Sequence, residues 1–137
     1  MKGNKTMKWW DVVWKGISVG EVLFTPGRGL QGGNKKKPFK VIKKLSDRII
    51  VLSGAYSIPL TRDCFDVIEE AFADSPHLWL RVAAVKEIPP LPQSADELIR
   101  KRTCSNLARA NYVCSILEHC GLVHYAMEGK RKGIVLP

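Results

Sequence analysis

The chain has 137 residues, of which 45% are hydrophobic and 26% are charged. This length and balance fit one ordinary domain or two very small ones, and they exclude a disordered or fibrous chain. Every apolar run is far shorter than the roughly 18 residues that span a membrane, so we expect no membrane partner. The basic start is followed by a polar, interrupted stretch rather than a signal-peptide core, and we expect a cytoplasmic protein.

Positive charge dominates and is unevenly distributed. The 22 Lys and Arg residues outnumber the 13 Asp and Glu residues, which gives a net charge of +9. Residues 1–62 carry a net charge of +10, residues 63–99 carry −6, and residues 100–137 carry +5. Two basic ends around an acidic middle create an oriented field, and phosphate backbones are the commonest partner of such surfaces. Exposed lysines that only solvate the surface are the alternative explanation.

The cysteines have neither metal nor redox spacing. The chain contains no C-x-x-C pair, which excludes a zinc ribbon and a thioredoxin-like motif, and a reduced intracellular chain is the simpler interpretation. One metal-like cluster exists, and its spacing fits no standard ligand pattern. It comprises Cys114, Cys120, His119 and His124. We therefore expect no metal and no cofactor.

Residues 1–60 are typical of a small, basic, β-rich unit. Alternating and β-branched residues predict four or five short strands. The strand-forming segments are residues 9–14 (WWDVVW), 21–25 (EVLFT), 39–45, 48–52 and 55–60. The third and fourth of these flank a short polar turn, which indicates a hairpin. The tryptophans of the first segment could stack on bases, but core or interface positions are the more common use of such residues.

A glycine-rich basic loop, residues 26–38 (PGRGLQGGNKKKP), interrupts this unit. Glycines expose backbone amides and the basic side chains add charge, so the loop is a candidate contact for a nucleic-acid backbone. The predicted contacts are Arg28, Lys35, Lys36 and Lys37. The loop has neither a Walker nor a dinucleotide fingerprint. A hairpin loop that touches no phosphate is the alternative.

Residues 61–137 form the second predicted unit. A helix begins at Thr61, whose side chain can accept from the first-turn amides, and it ends before Pro76. Residues 78–85 (LWLRVAAV) have the pattern of a buried strand. Three prolines within residues 87–93 (EIPPLPQ) indicate a linker inside this unit.

Two helices and a hairpin complete the chain. Ser94 and Glu97 form a capping box, which predicts the start of a helix, and Gly121 is a natural C-terminal stop for the next one. The predicted elements are a helix over 94–102, a break over 103–106, a helix over 106–119, and strands over 122–127 and 133–136 around a basic turn.

This order resembles the winged helix-turn-helix superfamily of DNA-binding domains. The segments ADELIRKR and ILEHCGLVHYAMEGKRKGIVLP carry the resemblance, which covers roughly a third of the chain, although the turn at 103–106 lacks the usual glycine. The resemblance implies an α+β fold, with a small β-rich N-terminal unit followed by a winged helix-turn-helix. Residues 61–74 would supply its third helix and residues 78–85 the strand that pairs with the wing. A single core shared by both units is the alternative.

In a domain of this kind, the second helix enters the major groove and its outward side chains meet base edges. Arg109 would then pair with guanine and Asn111 with adenine. The predicted contacts of this helix are Ala108, Arg109, Asn111, Tyr112 and Ser115. The predicted phosphate contacts are Arg100, Lys101 and Arg102 beside the groove, and Lys130, Arg131 and Lys132 on the wing.

We therefore expect double-stranded DNA binding by a transcriptional regulator or mobile-element-associated protein. A homodimer on a two-fold site is expected, because single small modules bind weakly. One alternative is a protein-interaction module of a larger assembly. Another is a metal-dependent nuclease, but its acidic cluster fits the solvated face of a helix, and no hydrolase motif is present. The acidic cluster consists of Asp63, Asp66, Glu69 and Glu70. An enzyme is not expected.

Overall fold

The computed structural model describes residues 7–25, 37–83 and 90–137, and these residues form an α+β fold. The sequence prediction of this class is confirmed. The helices and strands are, in order, α1 Trp9–Gly16, β1 Val22–Thr25, β2 Lys37–Lys44, β3 Arg48–Ser53, β4 Tyr56–Thr61, α2 Arg62–Asp74, β5 Leu80–Arg81, α3 Ala95–Thr103, α4 Ala110–His119, β6 His124–Glu128 and β7 Arg131–Val135.

The first sheet is an antiparallel meander in the order β1-β2-β3-β4. The predicted hairpin of β2 and β3 is confirmed, with Val41 opposite Val51. A strand places successive side chains on opposite faces, and one face here is buried. The buried face includes Leu23, Phe39, Val41, Ile49 and Val51. The opposite face is open and carries Val22 and Phe24.

The predicted strand at residues 9–14 is wrong, because this segment forms α1. Trp10 and Val13 are buried three residues apart, and Ile17 follows four residues later. This spacing places them on one face of a helix. The ring of Trp10 lies 5.5 Å from the ring of Phe65 in α2. Burial of this face against α2 therefore overrides the strand preference of the individual residues.

The second sheet has the order β5-β7-β6. Strands β6 and β7 form the predicted hairpin, and β5 pairs with β7 through Leu80 and Ile134. Residues 61–137 thus have the predicted order of helix, strand, two helices and hairpin, with the small strand on the hairpin. The strand predicted over residues 78–85 is shorter in the structure, and its last two positions lie outside the described residues.

Of three local predictions about helix starts, one is confirmed and two need correction. The hydroxyl of Thr61 makes no capping hydrogen bond and instead lies 3.6 Å from the thiol of Cys64. The hydroxyl of Ser94 does accept from the Glu97 amide, as predicted, at 3.1 Å. Helix α4 begins at Ala110, four residues later than predicted.

The turn between α3 and α4 closes without glycine. Cys104 has a φ of +51°, in the left-handed region that usually favours glycine, and its amide bonds back to α3 carbonyls. The residues that follow, 105–109, are neither helix nor strand. The sequence has no glycine in this turn, and Cys104 therefore adopts the left-handed conformation that a glycine would usually provide.

Helix α4 joins the two parts of the chain. Six of its ten residues are buried. It packs against β1, and the ring of Tyr112 meets the ring of Phe39 edge-on at 5.2 Å. The buried side chains of the first sheet, of α1 and α2, of β5, and of α3, α4 and β7 belong to one hydrophobic cluster. Residues 1–60 and 61–137 therefore share a core across their described parts.

We predict that Phe39→Ala lowers the free energy of unfolding by about 3 kcal/mol, because it removes a fully buried ring between the first sheet and α4. Phe24→Ala is the matched control, since this ring lies on the open face of the same sheet and is 54% exposed. We expect the control to change stability by less than about 0.5 kcal/mol in urea unfolding. Equal effects of the two substitutions would contradict the assignment of the buried face.

Candidate nucleic-acid interface

The hairpin of β6 and β7 displays basic side chains at its turn. Lys130 and Arg131 are exposed, beside a Gly129 whose φ of +63° allows the tight reversal. Lys132 is half-buried, and burial lowers the pKa of its ammonium group. The turn therefore offers two solvent-facing cations and a third that lies closer to the core.

The end of α3 supplies only part of the predicted phosphate contacts. Arg100 is buried, and its Nε donates to Oδ1 of Asp96 at 3.1 Å, so it lacks the accessible position that its predicted phosphate contact requires. Arg102 is half-buried and forms an ion pair with Glu70 of α2. Lys101 is exposed and pairs loosely with Glu97. Because the helix packs on α2, its first and third basic residues face protein and the second faces solvent.

The predicted outward position of Arg109 on α4 is wrong. It occupies the position before the first helical turn and is only 3% exposed. Its Nη1 donates to the carbonyl of Pro59 at 2.9 Å, and its Nη2 donates to Oγ1 of Thr103 at 2.8 Å. The late start of α4 allows this side chain to turn back toward β4 and α3.

The predicted outward positions of Tyr112 and Ser115 are also wrong. The hydroxyl of Tyr112 donates to Oγ of Ser53 at 3.1 Å, and its ring packs on the first sheet. Ser115 is buried and shares a hydrogen bond of 2.8 Å with the hydroxyl of Tyr125. Burial raises the pKa of Tyr125, so this phenol stays protonated at physiological pH. The first sheet and the hairpin together cover the face that the sequence predicts to be free.

The start of α4 keeps some accessible surface. Ala108 and Asn111 are both half-buried. The predicted loop contacts Arg28, Lys35 and Lys36 lie outside the described residues, whereas Lys37 is exposed at the start of β2. Among the described candidate contacts, four are thus exposed, namely Lys37, Lys101, Lys130 and Arg131. Four others keep part of their surface, namely Arg102, Ala108, Asn111 and Lys132.

A basic cleft of about 420 Å³ lies next to the start of α4. It opens between the β2–β3 turn, the first turn of α2 and the segment that joins α3 to α4. Its charged lining consists of four arginines and two aspartates, namely Arg48, Arg62, Arg102, Arg109, Asp47 and Asp63. Sequence reasoning missed Arg48 and Arg62 as members of this site, because only the packing of β3 and α2 against the α3–α4 segment brings them there.

Three of these four arginines have a carboxylate partner. Arg48 pairs with Asp47 at 3.1 Å, and this hydrogen bond lowers the pKa of the Asp47 carboxyl. Arg62 pairs with Asp66 at 3.2 Å, and Arg102 pairs with Glu70. In the part of the chain that the structure describes, Arg109 has no carboxylate within 4.0 Å.

The two candidate metal clusters have other roles in the structure. In the acidic cluster, Asp66 forms an ion pair with Arg62 and Glu70 forms one with Arg102. Glu69 accepts a hydrogen bond from the amide of Trp9. Burial raises the pKa of Cys114 to about 12 and that of Cys120 to about 11, so both remain thiols. Within the described ranges, no group of three His, Cys, Asp or Glu residues could hold a metal ion.

Comparisons with protein-family models, with curated proteins and with solved structures find no match to this chain. The geometry of the site therefore carries the functional argument by itself. Across residues 7–25, 37–83 and 90–137, no helix combines the length and the apolar character needed to cross a bilayer.

We predict that Tyr112→Phe destabilises the fold by about 1 kcal/mol, because it removes the hydrogen bond to Ser53 from a packed position. Tyr56→Phe is the matched control, since Tyr56 is exposed at the start of β4. The free energy of unfolding in urea measures both effects. Unchanged stability of Tyr112→Phe would contradict the hydrogen bond between Tyr112 and Ser53.

Proposed function

We propose that this protein binds double-stranded DNA through residues 61–137, in the manner of a winged helix-turn-helix domain. The observation that carries the proposal is the exposed basic turn of the β6–β7 hairpin, held by β5 in the order that such a domain requires. Lys130 and Arg131 project from this turn, where they suit backbone phosphates or the minor groove.

The contacts that remain accessible favour the phosphate backbone over base edges. Three residues proposed from the sequence as base or phosphate contacts of α4, Arg109, Tyr112 and Ser115, are held by protein partners. Asn111 and Ala108 leave a narrow surface for reading bases at the start of the helix. Phosphate contacts position a protein on DNA and supply most of its salt-dependent affinity. We therefore assign base discrimination to Asn111 and most of the affinity to the exposed cations of the hairpin turn, Lys130 and Arg131.

A two-fold homodimer suits this arrangement. A single hairpin turn and one helix start neutralise only a few phosphates, and small modules gain affinity when two copies bind adjacent half-sites. A role in transcription or in the handling of mobile DNA follows from such binding.

The second candidate is a protein-interaction module, which one observation favours. The open face of the first sheet exposes Val22 (51%) and Phe24 (54%) on β1, and Leu52 lies two strands away beside Lys40. Contiguous exposed apolar side chains are typical of protein contact sites. Binding through this face would be driven by apolar burial and would depend little on salt.

We predict that the double substitution Lys130→Gln/Arg131→Gln weakens the binding of a mixed-sequence duplex and reduces its salt dependence. Loss of two phosphate contacts should make the slope of log Kd against log salt shallower by about 2. Fluorescence anisotropy at several salt concentrations measures both quantities. Lys8→Gln/Lys15→Gln removes the same charge from exposed positions on and before α1 and is the matched control.

Two results would sink the proposal. In the first, the wild-type protein fails to bind duplex DNA at low salt. In the second, the control pair weakens binding as much as the hairpin pair, which would mean that general positive charge, rather than the hairpin, attracts the DNA.

A further inference from the structure

The cleft beside the α3–α4 segment contains a buried cation that forms no ion pair with any described residue, although Asp47 and Asp63 also line the cleft. Arg109 lines the cleft and is only 3% exposed. Among the described residues, its hydrogen-bond partners are two neutral oxygens, those of Pro59 and Thr103. Its Nε has no hydrogen-bond partner among the described residues. A buried charge without a partner is costly, because desolvation removes the water that would otherwise stabilise it. An anion in the cleft would offset that cost.

The first turn of α2 independently favours an anion at the same place. The first amides of a helix have no acceptor within the helix, and its dipole makes this end positive. The hydroxyl of Thr61 does not cap them, and among the described residues only the Arg62 amide has an acceptor outside the helix, the carbonyl of Asp47. Both Thr61 and Arg62 line the cleft. A helix start that opens into a basic cleft is a common phosphate-binding arrangement.

The arginines at the rim complete a cradle for a tetrahedral anion. Arg62 and Arg102 reach the cleft from α2 and α3, and Arg48 reaches it from the first sheet. Planar guanidinium groups bind phosphate oxygens in a bidentate manner. The volume of about 420 Å³ greatly exceeds the roughly 30 Å³ share of one water molecule, so the cleft can admit a phosphate group together with an attached sugar.

We infer that this cleft is a phosphate-binding site, with Arg109 as its charged floor, the first turn of α2 as an amide donor and Arg62 and Arg102 as its arms. The inference extends the proposed DNA binding by naming a site for a phosphate. It rests on the proposed function only where it identifies that phosphate as part of a DNA backbone. The cleft adjoins the start of α4, so one backbone phosphate of a bound duplex would occupy it. A free phosphate or a small phosphorylated molecule would present the same chemistry.

Thermal unfolding with inorganic phosphate tests the site without DNA. A ligand that binds only the folded protein raises Tm in a saturable way, and sodium chloride at equal ionic strength controls for screening. We expect phosphate to raise the Tm of the wild-type protein beyond the chloride control. We expect Arg109→Gln to weaken the apparent affinity for phosphate about tenfold or more, because it removes a charge-assisted contact in a desolvated site.

Two further variants distinguish the loss of phosphate binding from a failure of Arg109→Gln to fold. Arg62→Gln changes an exposed arm of the cleft, so it should fold normally and still bind phosphate more weakly than the wild-type protein. Lys15→Gln removes one exposed charge from α1, outside the cleft, and should bind phosphate like the wild-type protein. The inference is overturned if phosphate gives no more stabilisation than chloride. Equal stabilisation of wild type, Arg109→Gln and Arg62→Gln would also overturn it.

Duplex binding by the same variants identifies the source of the phosphate. Weaker duplex binding by Arg62→Gln, together with competition by inorganic phosphate, supports a backbone phosphate in the cleft. Wild-type duplex binding by this variant supports the site as a receptor for a free phosphorylated molecule. If phosphate binds the cleft while the wild-type protein ignores duplex DNA, the proposed function fails and the phosphate site stands.

Discussion

The structure depends on the burial of α4, of whose ten residues six are buried. The first sheet contacts it through Phe39 and β1, and the hairpin contacts it through Tyr125, which shares a hydrogen bond with Ser115. A helix enclosed in this way cannot be removed without exposing apolar surface on both sides. The N-terminal sheet and the C-terminal helices are therefore held together by one element, although each reads as a separate unit in the sequence.

This enclosure determines what the protein can present to a ligand. Side chains that would face a DNA groove in an isolated helix are used here to join the sheet, the helix and the hairpin. Arg109 is the clearest example, because its side chain lies against β4 and α3 instead of on the outer surface of α4. There it lines the cleft between three segments of the chain. The accessible charge then lies at the edges of the enclosed helix, on the hairpin turn and around the cleft. Such a surface suits phosphate groups better than base edges.

Much of the fold was predictable, because many helices and hairpins are determined by the residues of their own segment. The capping box of Ser94 predicted α3, and alternation in residues 39–52 predicted the hairpin of β2 and β3. Helix α1 was not predictable from strand propensity, because contact with Phe65 decides its conformation. The site was less predictable for the same reason. The Pro59 carbonyl that binds Arg109 lies 50 residues away, and the Ser53 hydroxyl that binds Tyr112 lies 59 residues away. The C-terminal pattern by itself therefore predicted both side chains to be free.

Native-state hydrogen exchange of the α4 amides tests the central role of this helix most directly. If α4 is the shared element of one core, the amides of Val113 to Leu117 and those of β2 and β3 exchange only through global unfolding. Both sets should then report the same free energy, equal to that from urea unfolding. If the first sheet exchanges at a clearly lower free energy while α4 stays protected, the N-terminal part opens independently. That result would contradict the enclosed helix and restore the freely exposed recognition helix that the sequence predicts.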